Sequence, residues 1–214
     1  MTFVRKTAMM MALGLAVSAC SAPETATRNL PMADTMASSV YATAPSYQPA
    51  AISIRVPQEL KVSEANLYFP SGDIVWRGDA RGNRHEQVKA IFETAANLGL
   101  STVTGVRPVT VDVELKRFHS LTEKTRYTVG GVHSIKFVIT LLDAETGQVV
   151  RAPREVVADL QGYGGNMALE AEAKGLTQKY RITQHLAKVL RDELSLSTGF
   201  VPPKGGITAR ISQI

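Results

Sequence analysis

The stretch from Val109 to Lys116 constrains the fold more than any other. Val109, Val111, Val113 and Leu115 alternate with Thr110, Asp112, Glu114 and Lys116, which is the period of a strand with one buried and one wet face. Ile135, Phe137, Ile139 and Leu141 make a second inward row. After a hairpin loop at Asp143 to Gly147, a return strand is expected through Val150, Ala152, Val156, Ala158 and Leu160, so an antiparallel arrangement is expected here. Pro153 lacks an amide donor and marks that return strand as an edge or bulged strand. Ile52, Ile54 and Val56 suggest a first strand, and Ile74 to Trp76 a short one.

Two helices can cover the buried face. Val88, Ile91, Phe92 and Ala95 recur at helical spacing and predict a helix from about Arg84 to Leu98. Asn83 supplies its cap, Glu86 a variant of the capping box, and Gly99 its stop. A longer stripe of Leu169, Ala173, Leu176, Tyr180, Thr183, Ala187, Leu190 and Leu194 predicts one helix from about Met167 to Ser195. The expected fold class is therefore α+β, an antiparallel or mixed sheet of about four to five strands packed against two helices.

The ends of the chain have a different character. Arg5 and Lys6 precede a short apolar run from Thr7 to Ala16, the pattern of a secretory signal and too short for a stable span. Residues 20–50 are rich in Ala, Ser, Thr and Pro and read as a disordered tether. The expected organisation is a signal peptide over 1–19, a tether over 20–50, a globular domain over 51–197 and a flexible tail over 198–214. Cys20 is the only cysteine, so the fold has no disulfide and rests on its core. Without residues 1–19 the chain keeps 22 basic against 19 acidic residues, a balance of +3. That is too weak to indicate nucleic acid as a partner.

No motif for nucleophilic catalysis stands out. The cysteine lies at the signal boundary, and no serine sits in a Gly-x-Ser-x-Gly elbow. His85, His119, His133 and His185 are scattered, without the spacing of a zinc site. The expectation is a non-enzymatic protein with no metal and no cofactor. For recognition, Arg77, Arg81 and Arg84 share a glycine-bearing loop at a helix start and could hold an anion. Tyr163, inside Gly162-Tyr163-Gly164-Gly165, is the contact residue of a second possible site.

Val17-Ser18-Ala19-Cys20 resembles the lipobox of bacterial lipoproteins, which implies lipidation at Cys20. Ser21 stands where those families carry the aspartate of inner-membrane retention, so the resemblance implies an outer-membrane site facing the periplasm. Together with Trp76-Arg77-Gly78-Asp79 and the helix start at Arg84 to Ile91, it is similar to an uncharacterised family of Gram-negative lipoproteins, from Ala51 onward. That family has no assigned activity to carry over. The order strand, helix, strands, helix also resembles small periplasmic lipoprotein domains that assist transport or envelope assembly. The resulting expectation is a membrane-anchored binding or adaptor module whose partner is another envelope protein. The alternative is a small-ligand or anion-binding accessory of a transport system.

Overall fold

The computed structural model describes residues 46–203. The signal segment, Cys20, most of the expected tether and the end of the expected tail lie outside the described residues. Within them the fold is α+β. Strands β1 (Tyr47–Arg55), β2 (Ile74–Val75), β3 (Arg107–His119), β4 (Gly131–Asp143), β5 (Val149–Val157) and β6 (Leu160–Gly162) form a six-stranded mixed sheet. Helices α1 (Arg84–Leu100), α2 (Glu123–Arg126), α3 (Asn166–Ala173) and α4 (Gln178–Ser195) complete it.

The antiparallel pair β3–β4 is the spine, in register from Val109 opposite Asp143 to His119 opposite Ser134. The other edge of β3 carries β1 and then β2, both parallel. The other edge of β4 carries β5 and then β6, both antiparallel. The sheet reaches six strands because the return strand expected through Leu160 is broken after Val157 into β5 and the three-residue β6, which pair with different stretches of β4.

The inward rows of β3 and β4 are fully buried, as their alternation requires, against Val88, Ile91 and Phe92 of α1 and Ile182, Leu186 and Leu190 of α4. Phe92 meets Phe137 and Phe118 edge-on at 5.5 and 6.3 Å, and Trp76 closes on Phe118 at 5.7 Å. On the opposite face, Arg55 forks between Asp112 and Glu114 at 2.6 Å each, and Lys116 also pairs with Glu114. A register shift between Leu115 and Arg117 reverses the alternation, so Phe118 turns inward and β3 runs on to His119.

Five expectations are corrected. The domain starts before residue 51: β1 begins at Tyr47, which is buried, and Pro49 sits within this edge strand, a position that tolerates a missing donor. Gly99 does not stop α1. It lies inside the helix, where a Cβ would stand 2.1 Å from the Ala187 carbonyl oxygen, so it is the point of closest approach to α4. The long helix is two helices, parted at Gly175 with φ +76° and restarted by Thr177, whose hydroxyl accepts the Tyr180 amide. Leu169, Leu176 and Tyr180 of the expected stripe are exposed as a result. Ala152 faces solvent because two register shifts interrupt the β4–β5 pairing. Finally, the tail is packed at least to Phe200, which is buried: its amide donates to Glu193 (3.0 Å) and its carbonyl accepts from Arg154 (2.9 Å).

Gly99→Ala should therefore destabilise the domain by about 1–3 kcal/mol in urea unfolding, because the added methyl overpacks the helix contact. Helix propensity alone would give a gain of about 1 kcal/mol. A measured gain would contradict the close approach of α1 and α4.

Candidate functional site

The arginine loop is internally satisfied. Arg84 is buried at the first turn of α1 and makes a two-point contact with Glu64, at 2.6 and 3.0 Å. Its Nη1 also donates to the Asp79 and Ala80 carbonyls and to Gln87. Arg77 donates to Glu123 at 2.6 Å and to the Glu64 carbonyl at 2.7 Å. The hydrogen bond from Arg84 holds the Glu64 carboxyl below its ordinary range, against the burial that would raise it. Asp79 accepts the Trp76 indole N–H at 2.9 Å and the Lys179 ammonium at 2.9 Å, tying the loop to the start of α4. Of the three arginines, Arg77 and Arg84 are neutralised by acids and only Arg81 is exposed. The expected anion site is not assembled. Tyr163 is held elsewhere, with its ring centroid 3.5 Å from the Arg181 guanidinium.

A cleft of about 640 Å³ opens where β3 ends and β4 begins. One wall is the segment Tyr68 to Pro70, another His119 to Thr122 with Thr125, and the last Val129 to Val132 with Gln161. The side-chain donors of His119, Ser120, Thr122 and Gln161 in this lining are turned into the fold. The Ser120 hydroxyl donates to the Val75 carbonyl (2.7 Å), the Thr122 hydroxyl to Leu67 (2.8 Å), and the Gln161 amide to Gly131 (2.9 Å). His119 Nε2 is 2.9 Å from the Pro70 carbonyl oxygen, so it carries the proton, and burial pushes this imidazole towards its neutral form. Beside the Tyr68 phenol, what remains for the cleft is rings, methyls and methylenes. Phe69 is 92% exposed, Val129 75% and Tyr68 41%. The glycine loop shapes this end of the fold by bringing two backbones together: a Cβ on Gly164 would stand 2.2 Å from the Gly130 amide.

Behind Leu121 lies a second, polar cavity of about 10 Å³, room for about one water. His133, Tyr163, Arg126 and Gln178 border it, and Arg126 Nε and Gln178 Oε1 are buried without a partner among the described residues. His133 is 1% exposed, accepts the Leu121 amide at Nδ1 (3.4 Å), and is pushed down to about 3 by burial, with Arg181 and Arg126 adding to the shift.

Sequence reasoning missed the cleft. Its trace in the sequence is Leu67-Tyr68-Phe69, three large apolar residues running into Pro70 without strand alternation. No group of His, Cys, Asp and Glu among the described residues could hold a metal, and no helix there is long and apolar enough to cross a membrane.

The class defined so far is an α+β domain with an apolar cleft at one end of a one-sided mixed sheet. Residues 47–210 match the model of a family of unknown function, DUF6778, and the chain belongs to that family. A search of curated proteins returns no match. Among solved structures, the chain is similar to a candidate lipoprotein of Caulobacter crescentus CB15, at 13% identity and TM-score 0.32, over 54% of this chain and 83% of that one. It is also similar to a Xanthomonas campestris protein of another family, DUF330, at 11% identity and TM-score 0.43, over 80% of this chain and 92% of that one.

Arg84→Ala should cost about 2–3 kcal/mol, since it leaves the Asp79 and Ala80 carbonyls and Gln87 without their donor and takes from Glu64 its main partner. Arg81→Ala should stay within about 0.5 kcal/mol. Equal small effects in chemical denaturation would contradict a buried strut at Arg84. Acidification probes His133. An unfolded imidazole takes a proton near pH 6.5, whereas the buried one resists until about 3. Stability is thus complete above pH 7 and falls by about 1.4 kcal/mol per unit below 6.5 from this group, with His119 and His185 adding in the same direction. The melting temperature should drop between pH 7 and 5, and less so in His133→Gln; a flat profile would contradict the burial of a neutral ring.

Proposed function

We propose that this protein is a non-enzymatic binding module of the bacterial envelope, anchored through lipid on Cys20 at the periplasmic face of the outer membrane. Its cleft receives an apolar group of another envelope component. The observation that carries this reading is the cleft itself: His119, Ser120, Thr122 and Gln161 in its lining spend their side-chain donors on the fold, while Phe69 stays 92% exposed at its rim. Contiguous exposed apolar surface of this kind marks interaction sites. The lipobox-like Val17 to Cys20 supports the anchor. The 25 residues between Cys20 and Ser46 reach roughly 85 Å at full extension, enough to present the cleft away from the bilayer. The arginine loop gives the anion-binding alternative no support, because Glu64 and Glu123 already occupy Arg77 and Arg84.

Cells grown with labelled palmitate test the anchor: the protein should carry label and sediment with membranes, and Cys20→Ala should do neither. A photo-crosslinker at Phe69 tests the cleft, with one at the equally bare Val106 (88% exposed) as control. Discrete adducts are expected from position 69 alone. Unlabelled protein released freely, or the same diffuse adducts from both positions, would contradict the proposal.

A further inference from the structure

Resting on the binding-module reading, we infer that the cleft takes the hydrocarbon chain of a fatty acid, with the carboxylate held outside it by Arg117 and Lys136. The chain follows from the lining. Ser120, Thr122, His119 and Gln161 have already given their side-chain donors to backbone carbonyls, so a polar group pushed between them would find little to replace its water. A hydrocarbon loses nothing there, and a cleft of about 640 Å³ is in the size range of small-molecule sites.

The charge follows from the sheet. Register places Arg117 directly opposite Lys136 on β3 and β4, one step along the same face from His119, which lines the cleft. Like charges in that position repel. Arg117 makes only a long contact to the Gly72 carbonyl (3.4 Å), and neither cation has an acidic partner among the described residues. Between residues 117 and 136 there are four cations, Arg117, Lys124, Arg126 and Lys136, and one acid, Glu123. That acid is held by Arg77, and Arg126 is paired with Glu172. Lys124 stands over the Tyr68 ring, 4.6 Å from its centroid, on another side of the mouth. An apolar cleft with two facing cations one step along the strands from its lining complements a carboxylate on a long chain.

The test uses the full chain carrying Cys20→Ala, which has no acyl group of its own, and cis-parinaric acid as the fluorescent probe. Saturable binding is expected, with oleate displacing the probe about tenfold better than oleyl alcohol, which has the chain but no charge. Phe69→Asp and Val129→Asp should weaken the probe about tenfold. Lys136→Glu is the sharper variant: it should raise the melting temperature of the free protein by relieving repulsion, yet weaken oleate about tenfold and leave oleyl alcohol unchanged. A gain in stability confirms that the variant folds, so lost binding cannot be ascribed to misfolding. Absence of saturable probe binding, or oleate affinity unaffected by Lys136→Glu, overturns the inference. So does a protein that ignores the free acid but floats with phosphatidylglycerol vesicles, since a bilayer surface would then be the occupant. If the probe fails while position 69 still crosslinks to one envelope protein, the fatty-acid inference falls and the binding module stands.

Discussion

Three side chains at the end of β3 donate to three backbone carbonyls: His119 to Pro70, Ser120 to Val75 and Thr122 to Leu67. These bonds hold the 67–75 segment against the end of the β3–β4 pair, and they decide two things at once. They place Ile74 and Val75 beside Phe118 and His119, where the segment joins the sheet as β2. They also use the polar atoms that would otherwise wet the gap, so the neighbouring side chains Tyr68, Phe69 and Leu121 define an apolar cleft. Fold and recognition surface have the same cause.

Charge is distributed by a similar logic. Where ions are buried they are paired: Arg84 with Glu64, and Glu193, which has no exposed surface, with Arg154 and Arg151. Such pairs fix geometry more than they add stability. The Arg84 pair holds the loop after Trp76 against α1, and the Glu193 pair fastens α4 to β5 and to the chain at Phe200. Against that economy the facing cations Arg117 and Lys136 stand out, because their repulsion stabilises nothing within the described residues.

Much of the framework was legible in the sequence, because long strands and an amphipathic helix leave periodic traces. The alternation from Val109 to Leu115 and from Ile135 to Leu141 gave the spine, and Val88, Ile91 and Phe92 gave α1 with its Asn83 cap. Features that depend on contacts between distant residues were not legible. Gly99 looks like a helix stop until the Ala187 carbonyl is seen beside it. Arg77 and Arg84 look free until Glu64, twenty residues before Arg84, and Glu123 are placed. The bulge after Leu115 hid the inward turn of Phe118, and the cleft appears only when segments near residues 68, 120, 130 and 161 converge.

Hydrogen exchange of the full Cys20→Ala chain, with and without oleate, shows where a bound fatty acid sits. Oleate should slow exchange in residues 67–70 and 119–132 and leave the rest of the sheet unchanged. Protection confined instead to residues 49–59 and 86–101, which line shallow grooves between β1 and α1, or no protection at saturating oleate, would contradict it.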